Sequence, residues 1–241
     1  MAPPAKAAAP KAPAQKKTTT PAAKKPTASL ASSNGKSTTG ANASIGTGSN
    51  PAVNIQPVLN QQNHAPAPIQ RFGTVSQRLP IGLDESTCLT SVTMLNQLLA
   101  DTITLRDMYK KHHWQVVGPT FYQLHLLYDK HYEEQNELVD TIAERIQILG
   151  GVAVAMAHDV AELTSLPRVP RDREEAPVQV SRLLSAHQSI LKNCHEYAKK
   201  ANEVGDDGTN DVIVSNLIRT NELQVWFVSE HVVDSPLIQA R

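Results

Sequence analysis

Residues 113–151 read HWQVVGPTFYQLHLLYDKHYEEQNELVDTIAERIQILGG. Between the breaks at Gly118-Pro119 and Gly150-Gly151 there is neither glycine nor proline. The stretch Thr120 to Leu149 therefore predicts one helix of about 30 residues, roughly 45 Å long. At about 100° per residue, Leu124, Leu127, Tyr128, Leu138, Ile142, Ile146 and Leu149 share one apolar sector. His125, Asp129, Asp140 and Glu144 share a stripe on the opposite side.

Helical spacing extends to both sides of this segment. Upstream, Leu89 to Trp114 lacks Gly and Pro and repeats Val92, Leu95, Leu98, Leu99, Ile103 and Met108. Downstream, Val152 to Ala176 carries Pro167 and Pro170, with room for one short helix around Ala153–Leu163. Pro177 opens a third long helix that runs through Glu203. The turn Gly205-Asp206-Asp207-Gly208 leads to a fourth, from about Asn210 to Val232. No stretch alternates with period two. The expected fold is all-α: a four-helix bundle with a long crossover between its second and third helices and a short extra helix in that connector.

The formal charge of zero conceals two opposite halves. Residues 1–83 hold nine bases, no acid and eleven of the 16 prolines, and their only aromatic is Phe72. Residues 84–241 hold 14 bases against 23 acids, a net −9. A segment so poor in large apolar groups cannot offset its ordering entropy. Residues 1–83 are expected to be a disordered basic tail, and residues 84–241 the folded domain. No apolar run is long enough to span a membrane, and the N-terminus has no apolar core of a secretory signal. Cys88 and Cys194 form neither a disulfide framework nor a zinc pattern and are expected as small buried residues.

His125/Asp129 and Asp140/Glu144 are each an i,i+4 pair, close enough to share a cation. The pairs lie 15 residues apart, about 22 Å along the axis, whereas metal–ligand bonds measure roughly 2 Å. One ion cannot touch both, so each pair is half a site. Two copies of the helix packed antiparallel about a two-fold axis near residues 134–135 would join unlike halves and give two equivalent sites. His113, at the end of the preceding helix, could complete the imidazole side. Such a nitrogen and oxygen donor set suits Fe(II), Mn(II) or Zn(II).

The segment His113-Trp114, Gly118, Phe121, Leu124-His125, Asp129, Asp140, Ala143-Glu144-Arg145 and Leu149-Gly150-Gly151 resembles the signature of the Dps family. These are the miniferritins, or DNA-binding proteins from starved cells. Asp206-Asp207 and Trp226-Phe227 fit the same pattern, and Gln115 departs from the asparagine usual after the tryptophan. The resemblance covers about residues 85–235 and implies a ferritin-like bundle assembled as a dodecamer of two-fold dimers. It implies a ferroxidase site holding two iron positions between subunits. The ligands would be His113, His125 and Asp129 from one chain, with Asp140 and Glu144 from its neighbour. Hydrogen peroxide would be the oxidant, ferric oxide would collect in the hollow shell, and Trp114 would be a nearby radical-trapping aromatic. The family also places acidic residues such as Asp206, Asp207 and Asp211 along three-fold ion pores. An intrachain di-iron centre of the larger ferritins is a poor alternative, because no glutamate is followed three residues later by histidine.

Lys6, Lys11, Lys16, Lys17, Lys24, Lys25 and Lys36, spaced by alanine and proline, are expected to contact the phosphates of double-stranded DNA without reading sequence. A cytoplasmic, nucleoid-associated homo-oligomer follows, with an architectural nucleoid protein of weak iron chemistry as the alternative.

Overall fold

The Asp84 carboxylate accepts a hydrogen bond from the Thr87 amide at 2.7 Å and caps the first helix, satisfying one of its open N–H groups. The computed structural model describes residues 67–76 and 79–233, so the predicted DNA-binding lysines lie outside the described residues. Helix α1 spans Glu85–Gln115 and α2 Phe121–Ile148; α3, Ala157–Leu163, lies in the long connector; α4 spans Ala176–Glu203. The last rod is continuous but not uniform: α5, Asp207–Asp211, runs into a π-helical segment, Val212–Ile218, and then α6, Arg219–Ser229. No strand occurs among the described residues.

The expected elements are all present, and their ends differ for local reasons. Capping by Asp84 starts α1 before Leu89. Capping by Asp206, which accepts from the Thr209 amide at 2.9 Å, starts the last rod before Asn210. The π-helical segment inserts extra residues per turn and so re-aims the face downstream. After it, Asn221, Gln224 and Val228 are the buried residues of α6.

Leu95, Leu98, Leu99 and Leu105 of α1 meet Leu124, Ile142 and Ile146 of α2, Leu183 and Ile190 of α4, and Ile213 and Leu217, all essentially inaccessible. Each such side chain contributes about 1.5–3 kcal/mol through burial. Cys88 and Cys194 are buried and unpaired, as expected. The crossover is pinned by polar groups of α1. Asn96 donates to Val152 O at 3.0 Å and accepts from the Val154 amide at 2.8 Å. Gln97 donates to Leu163 O at 3.1 Å. Buried Asp101 accepts from the Thr164 hydroxyl at 2.8 Å, the Ser165 amide at 2.6 Å and the Ser165 hydroxyl at 2.9 Å.

Residues 67–76 return to the body at the end of α2. The Ser76 amide and the Gln70 side chain both donate to Gly150 O at 2.8 Å. Gly150 has φ +76°, and a Cβ there would stand 2.2 Å from Ser76 O. Gly150→Ala should therefore lower stability by at least about 1–2 kcal/mol, the cost of an L side chain in the left-handed region. Chemical denaturation of the two proteins checks this.

Candidate metal centre

Helices α1 and α2 are joined across Gly118, and this turn brings His113 of α1 against His125 of α2. Their rings stack with centroids 3.8 Å apart and planes 19° apart, and Phe121 covers His125 at 5.1 Å. Nδ1 of His113 lies 2.8 Å from His125 O, and Nδ1 of His125 lies 2.9 Å from His113 O. A carbonyl oxygen only accepts, so both Nδ1 atoms carry hydrogen. Each neutral ring then keeps its lone pair on Nε2, as a metal ligand requires.

Asp129 lies one turn beyond His125. Lys110 Nζ is 2.5 Å from its Oδ1, and His113 Nδ1 is 3.9 Å away. The hydrogen bond from Lys110 is the largest influence holding the Asp129 carboxyl below its ordinary range, assisted by the positive ends of His113 and His125. The carboxylate is thus ionised and paired with an ammonium that an incoming cation must displace or share. The ammonium also lies 4.3 Å from the Tyr132 ring centroid.

The structure brings His113, His125 and Asp129 together and leaves Asp140 and Glu144 apart, exposed further along α2. Among the described residues of one chain, no three His, Cys, Asp or Glu side chains converge on a metal-holding geometry. The surface around the first donor pair is also partly apolar. Tyr122 is 68% exposed, Leu126 50% and Phe121 44%, and Trp114, beside His113, is 69% exposed. Large apolar groups interleaved with ligands on a non-core face mark a surface suited to burial against another chain.

The three acids of the last turn separate. Asp207 and Asp211 are exposed. Asp206 is buried, 2.5 Å from Arg145 Nη2 and 2.7 Å from the Thr209 hydroxyl. A Cβ at Gly208 would meet that guanidinium at 2.8 Å, so the turn closes tightly over the ion pair. Burial pushes the Asp206 carboxyl up, but the neighbouring Ser91 hydroxyl, then the Thr209 hydrogen bonds and the Arg145 charge, outweigh it and hold the carboxyl below its ordinary value.

Two further histidines, His131 and His187, lie outside the predicted site. In the structure both are buried in the bundle and bonded to Tyr109: His187 Nε2 lies 2.6 Å from its hydroxyl, and His131 Nδ1 3.2 Å. The signal was available only in part. His131 and Gln135 fall on the apolar sector of α2, where a polar residue needs a buried partner.

The family description "Ferritin-like domain" matches residues 92–238. The chain is 50% identical to an uncharacterized protein of Kitasatospora aureofaciens over 63% of this chain and 98% of that one. It is 34% identical to a nutrient stress-induced DNA-binding protein of Nostoc sp. over 64% of this chain and 83% of that one. Among solved structures, DpsC from Streptomyces coelicolor superposes with a TM-score of 0.70 at 57% identity, covering 71% of this chain and 99% of that chain.

The buried ion pair gives a prediction. A carboxyl whose folded pKa is depressed adds stability that is complete above its unfolded value and is lost as pH falls through its folded value. Asp206→Asn should cost on the order of 3 kcal/mol at neutral pH, as when one partner of a buried pair is removed. The deficit should shrink as pH falls below the model-peptide value of about 3.9. Urea titrations of wild type and variant at pH 7 and in acid test both statements.

Proposed function

The chain belongs to the Dps family of ferritin-like proteins, and from that premise we propose that it is a ferroxidase and iron store that protects DNA from oxidative damage. Fe(II) is the substrate and hydrogen peroxide the oxidant. Each two-fold interface holds two equivalent sites of two iron positions each, every site held by His113, His125 and Asp129 of one subunit and by Asp140 and Glu144 of the next. The observation that carries the reading is the pair of half-sites on the exposed stripe of α2. One half has its histidines side by side, each with Nδ1 bonded to the other's carbonyl and Nε2 left as the lone-pair nitrogen, and Asp129 ionised one turn on. The other consists of two exposed carboxylates about 22 Å away, with apolar side chains on the same stripe. Carboxylates favour the ferric product, and no side-chain nucleophile is needed.

The product collects as ferric oxide inside a shell of subunits, a dodecamer of two-fold dimers. Trp114, next to the proposed ligand His113 and exposed in the single chain, is the radical-trapping aromatic of this reading. Iron reaches the interior past Asp207 and Asp211, whose exposed carboxylates can concentrate cations. Asp206 holds their turn against Arg145. The body's net −9 should repel DNA. The lysines at 6, 11, 16, 17, 24, 25 and 36 then supply the attractive surface, and many tails on one shell act together. The reading places the protein at the nucleoid. The tail also favours a second reading, an architectural DNA-binding protein with weak iron chemistry. Fe(II) oxidation by peroxide separates the two.

His125→Ala and Asp140→Ala should each abolish fast Fe(II) oxidation with peroxide, followed optically. In a mixed dimer of the two variants, one interface site loses both groups and the other keeps both, so activity should return to about half of wild type. Mixed dimers as inactive as either parent would show that the ligands do not come from two chains.

Removing residues 1–50 should abolish retardation of duplex DNA at low salt and leave iron oxidation intact. In the full chain, log K should fall by about 0.9 per phosphate neutralised for each unit of log salt. A truncated shell that retards DNA equally would assign binding to another surface.

A further inference from the structure

All four long helical elements contribute to a polar cluster at the centre of the bundle: Tyr109 from α1, His131 and Gln135 from α2, His187 from α4, and Asn221 and Gln224 from α6. All six are buried. The hydrogens can be assigned from one end. Asn221 Nδ2 donates to Leu217 O at 2.7 Å, which leaves Asn221 Oδ1 as an acceptor. Oδ1 lies 2.8 Å from His187 Nδ1, so that nitrogen carries hydrogen. His187 Nε2 is then the lone-pair side, and the Tyr109 hydroxyl, 2.6 Å away, donates to it. His131 Nδ1, at 3.2 Å, donates to the same phenol oxygen. A buried phenol thus faces a neutral base whose tautomer is set by a second residue.

Such a phenol cannot ionise by itself. Burial, followed by the charges of Tyr128 and Glu134, pushes its pKa well above the ordinary value. It can lose its proton together with an electron, because the radical left behind is uncharged and the proton has a lone pair to receive it. The cluster is also close to the half-site. Tyr109 precedes Lys110, whose ammonium touches Asp129, and its ring centroid is 6.0 Å from that of Tyr128, the neighbour of Asp129.

We propose that Tyr109 and His187 form a redox-active pair that supplies one electron when peroxide meets a single Fe(II) at the interface site, the phenolic proton passing to His187 Nε2. Peroxide takes two electrons and one Fe(II) gives one. The balanced step is Fe(II) + H2O2 + Tyr–OH + His → Fe(III) + Tyr–O• + His–H⁺ + 2 OH⁻. The O–H bond of Tyr109 breaks, an N–H bond forms at Nε2, and the peroxide O–O bond is cleaved. The amide oxygen of Asn221 holds the imidazolium in place, so the proton stays beside the radical. A later Fe(II) returns the electron, the proton crosses back, and the second ferric ion is made. The pair therefore converts a one-iron encounter into the same two-electron reduction of peroxide that two irons perform.

The proposal rests on the ferroxidase reading, so the test has an arm with iron and an arm without it, both on the assembled full-length protein labelled with ¹⁵N-histidine. In the first, less than one Fe(II) per site is mixed with peroxide and freeze-quenched. In the second, a photogenerated Ru(III) polypyridyl complex is the one-electron oxidant. Both are read by electron paramagnetic resonance. The expected result is a tyrosyl radical coupled to histidine ¹⁵N in both arms, absent from Tyr109→Phe. In His187→Gln, formation should slow by on the order of 10²-fold, the usual worth of a positioned proton acceptor. Circular dichroism confirms that both variants are folded. Rapid iron oxidation without this radical would overturn the proposal, as would a radical that persists in Tyr109→Phe. If iron is not oxidised at all, the ferroxidase reading fails. The light-driven arm then still decides whether the pair is redox-active: the coupled radical supports it, and its absence overturns it.

Discussion

A metal–ligand bond reaches about 2 Å, and the two donor pairs of α2 stand about 22 Å apart on one stiff helix. This mismatch sets what the rest of the chain must do. Helix α2 has to present an inward face that holds the bundle together and an outward face that is chemically incomplete. The inward face is Leu124, Tyr128, Leu138, Ile142 and Ile146, all buried. The outward face carries His125, Asp129, Asp140 and Glu144 among exposed Phe121, Tyr122 and Leu126. Neither face can serve the other's purpose. On the proposed reading the chemistry is completed by association with a second chain, for which the exposed apolar side chains beside His125 would provide a driving force.

The histidines of the proposed half-site hold each other in place. The turn at Gly118 lets the ends of α1 and α2 exchange two imidazole-to-carbonyl hydrogen bonds, so each histidine fixes the other's tautomer. Lys110 keeps Asp129 ionised. At the other end of the hairpin, Arg145 and Asp206 tie α2 to the start of the last rod, and Gly150 receives residues 70 and 76. The connector between α2 and α4 is long, but Asn96, Gln97 and Asp101 of α1 hold it along much of its length. These contacts anchor the C-terminal end of α2 and the connector that follows it to the rest of the bundle.

Much of this was legible in the residues. Period and breakers located the four long helices and the short one in the connector, because amphipathic spacing is a local property. The Dps family assignment rested on the His113–Gly151 pattern, and the comparisons support it. What escaped was long-range pairing. Asp206 was grouped with Asp207 and Asp211 by adjacency, yet it alone turns inward, toward an arginine 61 positions earlier. His131 and His187 had no local partner pattern, since the phenol that joins them lies 22 and 78 positions away. The π-helical segment left no period of its own, although it directs Asn221 and Gln224 into the core. Residues 67–76 fall within the stretch expected to be disordered, but they hydrogen-bond to the body at Gly150, a contact between segments that composition does not encode.

The central claim is that the iron site is shared between two chains. Anomalous diffraction at the iron edge, from crystals of the full-length protein soaked with Fe(II) without oxygen, tests it most directly. The account predicts peaks on the two-fold interface, bonded to His113, His125 and Asp129 of one chain and to Asp140 and Glu144 of the partner subunit. Iron held by ligands from a single chain, or lodged among Tyr109, His131 and His187 with the interface empty, would contradict it.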